Sequence, residues 1–169
     1  MGQLADSNRT PLGLHRIAEK IGGGWPIGAV FRSRRLVGFT WRGLPDAAIA
    51  HRILWLEGLE PGFNRGGRVD SYQRYIYIHG IGNEPTLGRP ASRGCIHLAA
   101  ADLLPLYDRV PVGTLVWITG RTPAPLQAMS EFAVRARVCD PQRLDFEAAV
   151  LRLTEPRSEI RTPPNFTAD

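Results

Sequence analysis

The chain has 169 residues, 43% of them hydrophobic, which is room for one compact domain with a real core and too little for two ordinary ones. Eighteen glycines and 14 prolines argue for short strands joined by turns and against a helical bundle. A formal charge of +5 favours anionic partners, but no zinc-finger spacing, recognition-helix pattern or aromatic-plus-basic stacking motif supports nucleic acid.

In chain order, the first ten residues carry no apolar core of signal-peptide length. No later segment approaches the roughly 18 apolar residues of a membrane span, so stable membrane insertion is not expected. Thr10-Pro11-Leu12-Gly13 reads as a turn, followed by a strand at Leu14 to Ala18. Gly22-Gly23-Gly24 breaks the chain before strands at Ile27 to Phe31 and Leu36 to Trp41, and Pro45 to Ala50 reads as loop or a single helical turn. Ile53 to Leu56 is a short buried strand, and Glu57 to Tyr72 is the longest loop of the first half.

Tyr75-Ile76-Tyr77-Ile78 has a central-strand pattern, which puts His79 at the strand's end, where functional groups collect. A helix is expected over Ala99 to Tyr107, shortened by Pro105. A turn at Pro111-Val112-Gly113 leads into a strand at Thr114 to Ile118. Beyond Gly120 the apolar spacing turns helical, over Leu126 to Val138 and Leu144 to Leu153, before a proline-rich tail that reads as disordered. The expected organisation is a mostly β domain over 1–119, a helical extension over 120–155 and a tail over 156–169.

The chemistry lies between His79 and Leu98. A free thiol is only a few per cent thiolate at neutral pH and needs a cationic or imidazole partner to react. Cys95, in Ser92-Arg93-Gly94-Cys95, is the candidate nucleophile and His79 its candidate base. Gly94 lets the backbone turn sharply, so the N–H groups of Gly94 and Cys95 are the candidate oxyanion donors. Gly80 can offer its carbonyl to the second ring nitrogen of His79 and so fix the tautomer. His97, two residues beyond Cys95, would share its face in an extended segment and line the same cleft. The bland alternatives are a buried structural cysteine and a satisfied structural histidine. His15 and His51 have no nameable partner and read as surface or structural, and Cys139 as structural or incidental.

The run His79-Gly80, the spacer with Gly88 and Pro90, then Ser92-Arg93-Gly94-Cys95-Ile96, a helix and Gly113-Thr114-Leu115-Val116 resembles the YkuD-type L,D-transpeptidase catalytic domain. Thr10-Pro11-Leu12-Gly13 resembles that family's Thr-Pro-x-Gly turn. The resemblance covers about residues 8 to 119 and implies a β-rich, sandwich-like fold with a short helix after the cysteine. It also implies action on peptidoglycan stem peptides without metal or organic cofactor, in the periplasm or cell envelope, and names no protein partner.

By that resemblance Cys95 attacks the carbonyl joining a third-position diamino acid to terminal D-alanine. His79 serves as base, Gly80 orients it, and Ser92, Arg93 and His97 line the substrate site, with Arg93 suited to a carboxylate. Water as acceptor would make the same site an L,D-carboxypeptidase, and a site without turnover would be a wall-binding module. Many relatives carry histidine where this chain has Arg93 and arginine where it has His97, which puts substrate identity in question. The family ordinarily has strands ahead of the Thr-Pro-x-Gly turn, whereas nine residues precede Thr10 here, so missing front strands and an exposed sheet edge are expected.

Overall fold

The computed structural model describes residues 2–89 and 91–120, together with the pairs Arg135–Ala136 and Ala149–Val150. Alternation sets the architecture. In β4 (Ala50–Gly58), Leu54 and Leu56 enter one hydrophobic cluster, while Ile53 and Trp55 enter another. Side chains two apart share a sheet face, so this strand is buried on both. β1 (Gly13–Ile21) runs antiparallel along one edge of β4 and β5 (Tyr77–Gly80) along the other. β2 (Ala29–Arg32) meets β4 only at Val30↔Ala50. β3 (Arg35–Phe39) hairpins back on β2, and β6 (Ile96–Leu98) lies parallel to β5.

After α1 (Ala100–Arg109), β7 (Leu115–Ile118) pairs with β1. The two-residue strands β8 (Arg135–Ala136) and β9 (Ala149–Val150) continue the sheet from β7. The main path is β3-β2-β4-β1-β7-β9-β8, with β5 and β6 branching from β4. The expected mostly β fold with a short helix after the cysteine is present. Its strands join into one sheet because β4 pairs with β1, β2 and β5, linking strands that a sandwich divides between two layers.

α1 covers one face. Leu103, Leu106, Tyr107 and Val110 follow the i, i+3, i+4, i+7 spacing of a helical stripe and pack with Ile17, Leu54, Leu56, Ile78, Ile96 and Val116. Burying each leucine side chain contributes about 1.5–3 kcal/mol. Pro105 does not shorten this helix, which continues to Arg109. Pro105 is exposed, and so is Ala101, whose carbonyl loses the i+4 donor, so water can satisfy it. The helix start is closed by Glu84, whose carboxylate accepts the Ala100 N–H at 2.7 Å.

Several boundaries differ from the sequence reading. Tyr75 has φ 57°, in the left-handed region, so strand geometry begins only at Tyr77 and places His79 inside β5, one residue from its end. β4 extends beyond Ile53–Leu56 in both directions, across a bulge at which His51 has φ 69°. The long loop is organised by Asn64, fully buried, whose Nδ2 donates to the carbonyls of Leu12 and Leu14 at 3.1 Å each.

The β2–β3 turn consists of Ser33 (φ 47°) and Arg34 (φ 66°), both left-handed as a type I′ turn requires. Neither is the glycine or asparagine that adopts this conformation readily, and each costs roughly 1–2 kcal/mol there. Of the stretches read as helical beyond Gly120, the structure describes Arg135–Ala136 and Ala149–Val150, each a two-residue strand. The remainder of those stretches, and the tail, lie outside the described residues.

Candidate active site

The parallel pairing of β5 and β6 aligns Ile78 with Ile96 and His79 with His97. One step back along the same register Tyr77 lies beside Cys95. With strands about 4.8 Å apart and side chains alternating, Tyr77, His79, Cys95 and His97 share one face while Ile78, Ile96 and Leu98 fill the core on the other. β4 extends the pattern, because Trp55 pairs with Tyr77 and Ile53 with His79. The site floor therefore has two rows across three strands, Trp55–Tyr77–Cys95 and Ile53–His79–His97.

His79 is 2% exposed, and its Nδ1–H donates to the Gly80 carbonyl at 2.8 Å. Because a carbonyl can only accept, Nδ1 carries the proton and Nε2 of the neutral ring is the acceptor. Burial first, then the neighbouring His97, lowers its pKa from 6.5 to about 3. The His97 ring is 4.7 Å from it, centroid to centroid. Gly80 admits no side chain, since a Cβ there would meet His51 Cδ2 at 2.4 Å and the Ala50 carbonyl at 2.8 Å.

Cys95 is partly buried against the aromatic cluster of Trp55, Tyr72 and Tyr77, and its thiol donates to the Tyr75 carbonyl at 3.4 Å. Burial raises its pKa from 9.0 to about 11, opposed by the Tyr77 backbone and by the Arg74 guanidinium. Gly94 has φ +113°, and a Cβ would lie 2.7 Å from the Arg9 carbonyl. Its N–H, one of the expected oxyanion donors, donates to Ser92 Oγ at 3.2 Å. Ser92 is half-buried beside the nucleophile candidate and Arg93 is exposed.

His15 is not at the surface. It is fully buried, with Nδ1–H donating to the Gly13 carbonyl at 3.0 Å and Nε2 accepting from the Ser71 hydroxyl at 2.9 Å. His51 is buried too; its Nδ1 accepts the Gly28 N–H at 2.9 Å, which leaves its Nε2–H facing Glu84 at 3.6 Å. Sequence reasoning passes over Arg74. Its guanidinium donates to the carbonyls of Gly2, Gln3 and Arg9 at 2.9, 2.6 and 2.9 Å, fastening the N-terminal segment against the cysteine loop. Tyr77 and Trp55 are also missed, although the alternation Tyr75-Ile76-Tyr77-Ile78-His79 already places Tyr77 on the His79 face.

A mostly β fold that sets a thiol and a tautomer-fixed imidazole on one sheet face has the parts from which thiol-dependent acyl transfer is built. A family model described as the L,D-transpeptidase catalytic domain, YkuD, matches residues 1–118, and the chain belongs to that family. The protein is also similar to a putative L,D-transpeptidase YkuD of Bacillus licheniformis, 39% identical over 61 residues. That alignment covers 33% of this chain and 37% of the relative. No solved structure matches the chain. Among the described residues no helix is long and apolar enough to cross a membrane.

Proposed function

We propose that the protein is a cysteine acyltransferase that cross-links peptidoglycan stem peptides by L,D-transpeptidation. One observation carries the reading: Cys95 and His79 occupy one face of adjacent strands, with His79 Nδ1 bound to the Gly80 carbonyl so that Nε2 is available as base. Cys95 Sγ attacks the carbonyl between the diamino acid and the terminal D-alanine as its proton passes to His79 Nε2. The resulting imidazolium protonates the leaving amine, D-alanine departs, and a thioester remains. An acceptor amine then attacks the thioester, passing its proton through His79 back to the sulfur.

In the free protein burial keeps both partners neutral, the thiol at about 11 and the imidazole at about 3. Proton transfer therefore belongs to the substrate complex, in step with attack, and not to a resting ion pair. The Cys95 N–H is the first oxyanion donor, joined by that of Gly94 when Ser92 Oγ releases it. His97 lines the floor beside His79 and Ser92 lines the wall, while Arg93 reaches the substrate from the rim.

Incubation with purified tetrapeptide stems, read by mass, tests the reading. Cross-linked dimers with released D-alanine are expected. Trimmed tripeptide alone would make the protein an L,D-carboxypeptidase. Intact-mass measurement after exposure to a carbapenem-type acylating agent should show an adduct that Cys95→Ala abolishes, and no adduct on folded wild-type protein would leave a wall-binding module.

A further inference from the structure

Arg34 stands at the tip of the β2–β3 hairpin over the aromatic end of the site floor. Its Cζ is 4.9 Å from the Trp55 ring centroid and 5.1 Å from that of Tyr75. Trp55 is itself stacked on Tyr72 at 4.1 Å and meets the edge of Tyr77 at 5.4 Å. The tyrosine hydroxyls, that of Tyr77 foremost, raise the affinity of the guanidinium for its proton. Among the described residues no carboxylate forms an ion pair with Arg34. Glu19, which belongs to this cluster, is engaged by the Tyr72 hydroxyl.

Two features make this more than an exposed arginine. The two-residue type I′ turn that carries it fixes the backbone of Arg34 in the left-handed region and holds its guanidinium over the Trp55 and Tyr75 rings. The face of the guanidinium is taken by the stack and part of its edge donates to the Tyr77 and Tyr75 hydroxyls. The rest of its five N–H donors lie at the exposed hairpin tip, where a carboxylate can accept from them.

We propose that Arg34 recognises a carboxylate of the acyl donor and so sets the scissile carbonyl over Cys95. The row Trp55–Tyr77–Cys95 crosses two strand spacings, about 10 Å. One residue of extended donor, about 3.5 Å, and a guanidinium–carboxylate separation of about 4 Å fit within that span once the side chains lean inward. Arg93, exposed at the rim, stacks on no aromatic ring among the described residues. The proposal rests on the acyl-transfer reading and gives that site its donor specificity.

The probes are a stem tetrapeptide and a set of forms in which its carboxylates are amidated one at a time. Binding is measured by calorimetry on Cys95→Ala, which cannot turn the peptides over. One amidation is expected to weaken binding about tenfold or more, as loss of a charge-assisted hydrogen bond does. The same amidation should cost less than threefold in Cys95→Ala/Arg34→Gln. Arg34→Lys, with the charge but not the planar fork, should fall between.

An equal loss with and without Arg34, no effect of any amidation, or no binding at all overturns the proposal. Circular dichroism and the thermal midpoint establish that each variant is folded. Wild-type protein is assayed in parallel. Arg34-dependent binding without thioester formation would sink the acyl-transfer reading and leave the recognition site standing. Thioester formation with unaltered discrimination in Arg34→Gln would do the reverse.

Discussion

Glycines 80 and 94 adjoin the candidate base and the candidate nucleophile, and each is required by what a single methyl group would strike. At Gly94 the left-handed φ adds strain to a contact of 2.7 Å with backbone that Arg74 clamps in place. Gly94→Ala is therefore expected to cost about 2–4 kcal/mol, read as a lower urea midpoint, and to reduce acylation of Cys95. The thiol offers a second check. With its pKa at about 11 in place of 9.0, its thiolate fraction at pH 8 is about 100-fold lower, partly offset by the greater nucleophilicity of a more basic thiolate. Alkylation of Cys95 by iodoacetamide, followed by peptide mapping to separate it from Cys139, should run about tenfold slower than that of a free cysteine and accelerate above pH 9. His79 and Gly80 are legible as candidates because they adjoin at the end of an apolar run, and Cys95 because Ser92-Arg93-Gly94 and the glycine-rich spacer mark it. Arg34 and Arg74 are not, because their partners lie far along the chain and neither Ser33 nor Arg34 bears the mark of a left-handed turn.

At the scale of elements, alternation and turn residues locate β1 to β5, β7 and α1 but not the three-residue β6, and the ends of all of them follow tertiary contacts that no local pattern displays. Strand geometry begins after Tyr75 because that residue is left-handed, and α1 runs through Pro105 because the lost bond faces water. The start of α1 depends on a residue 16 positions upstream, Glu84, which supplies both an acceptor and a negative charge near the helix N-terminus. Glu84→Ala should cost about 1–2 kcal/mol and lower the thermal midpoint by a few degrees. Because α1 backs β5 and β6 through Leu103 and Leu106, a loosened first turn should also raise KM for stem peptides, a change steady-state kinetics would detect. Glu84→Gln, which keeps the acceptor, should recover most of the stability.

For the molecule as a whole, all four histidines have lowered pKa values, each with burial as the largest cause. Below pH 6.5 the unfolded chain binds protons that the native state refuses, so stability present above that value is lost as the pH falls through it toward 3–4. His15, at about 4, and His79, at about 3, should each remove about 2 kcal/mol by pH 5. Urea midpoints measured at pH 7.5 and 5 should therefore differ strongly, and a flat profile would contradict the burial of these rings. The pairing of β4 with β1 and β5 has another consequence. Successive amides of Ile53 to Leu56 bond alternately toward β1 and toward β5, so exchange along the whole segment requires both strands to leave β4, which dismantles the sheet. Those amides should be the last to exchange, and their rate should report the opening of the entire domain.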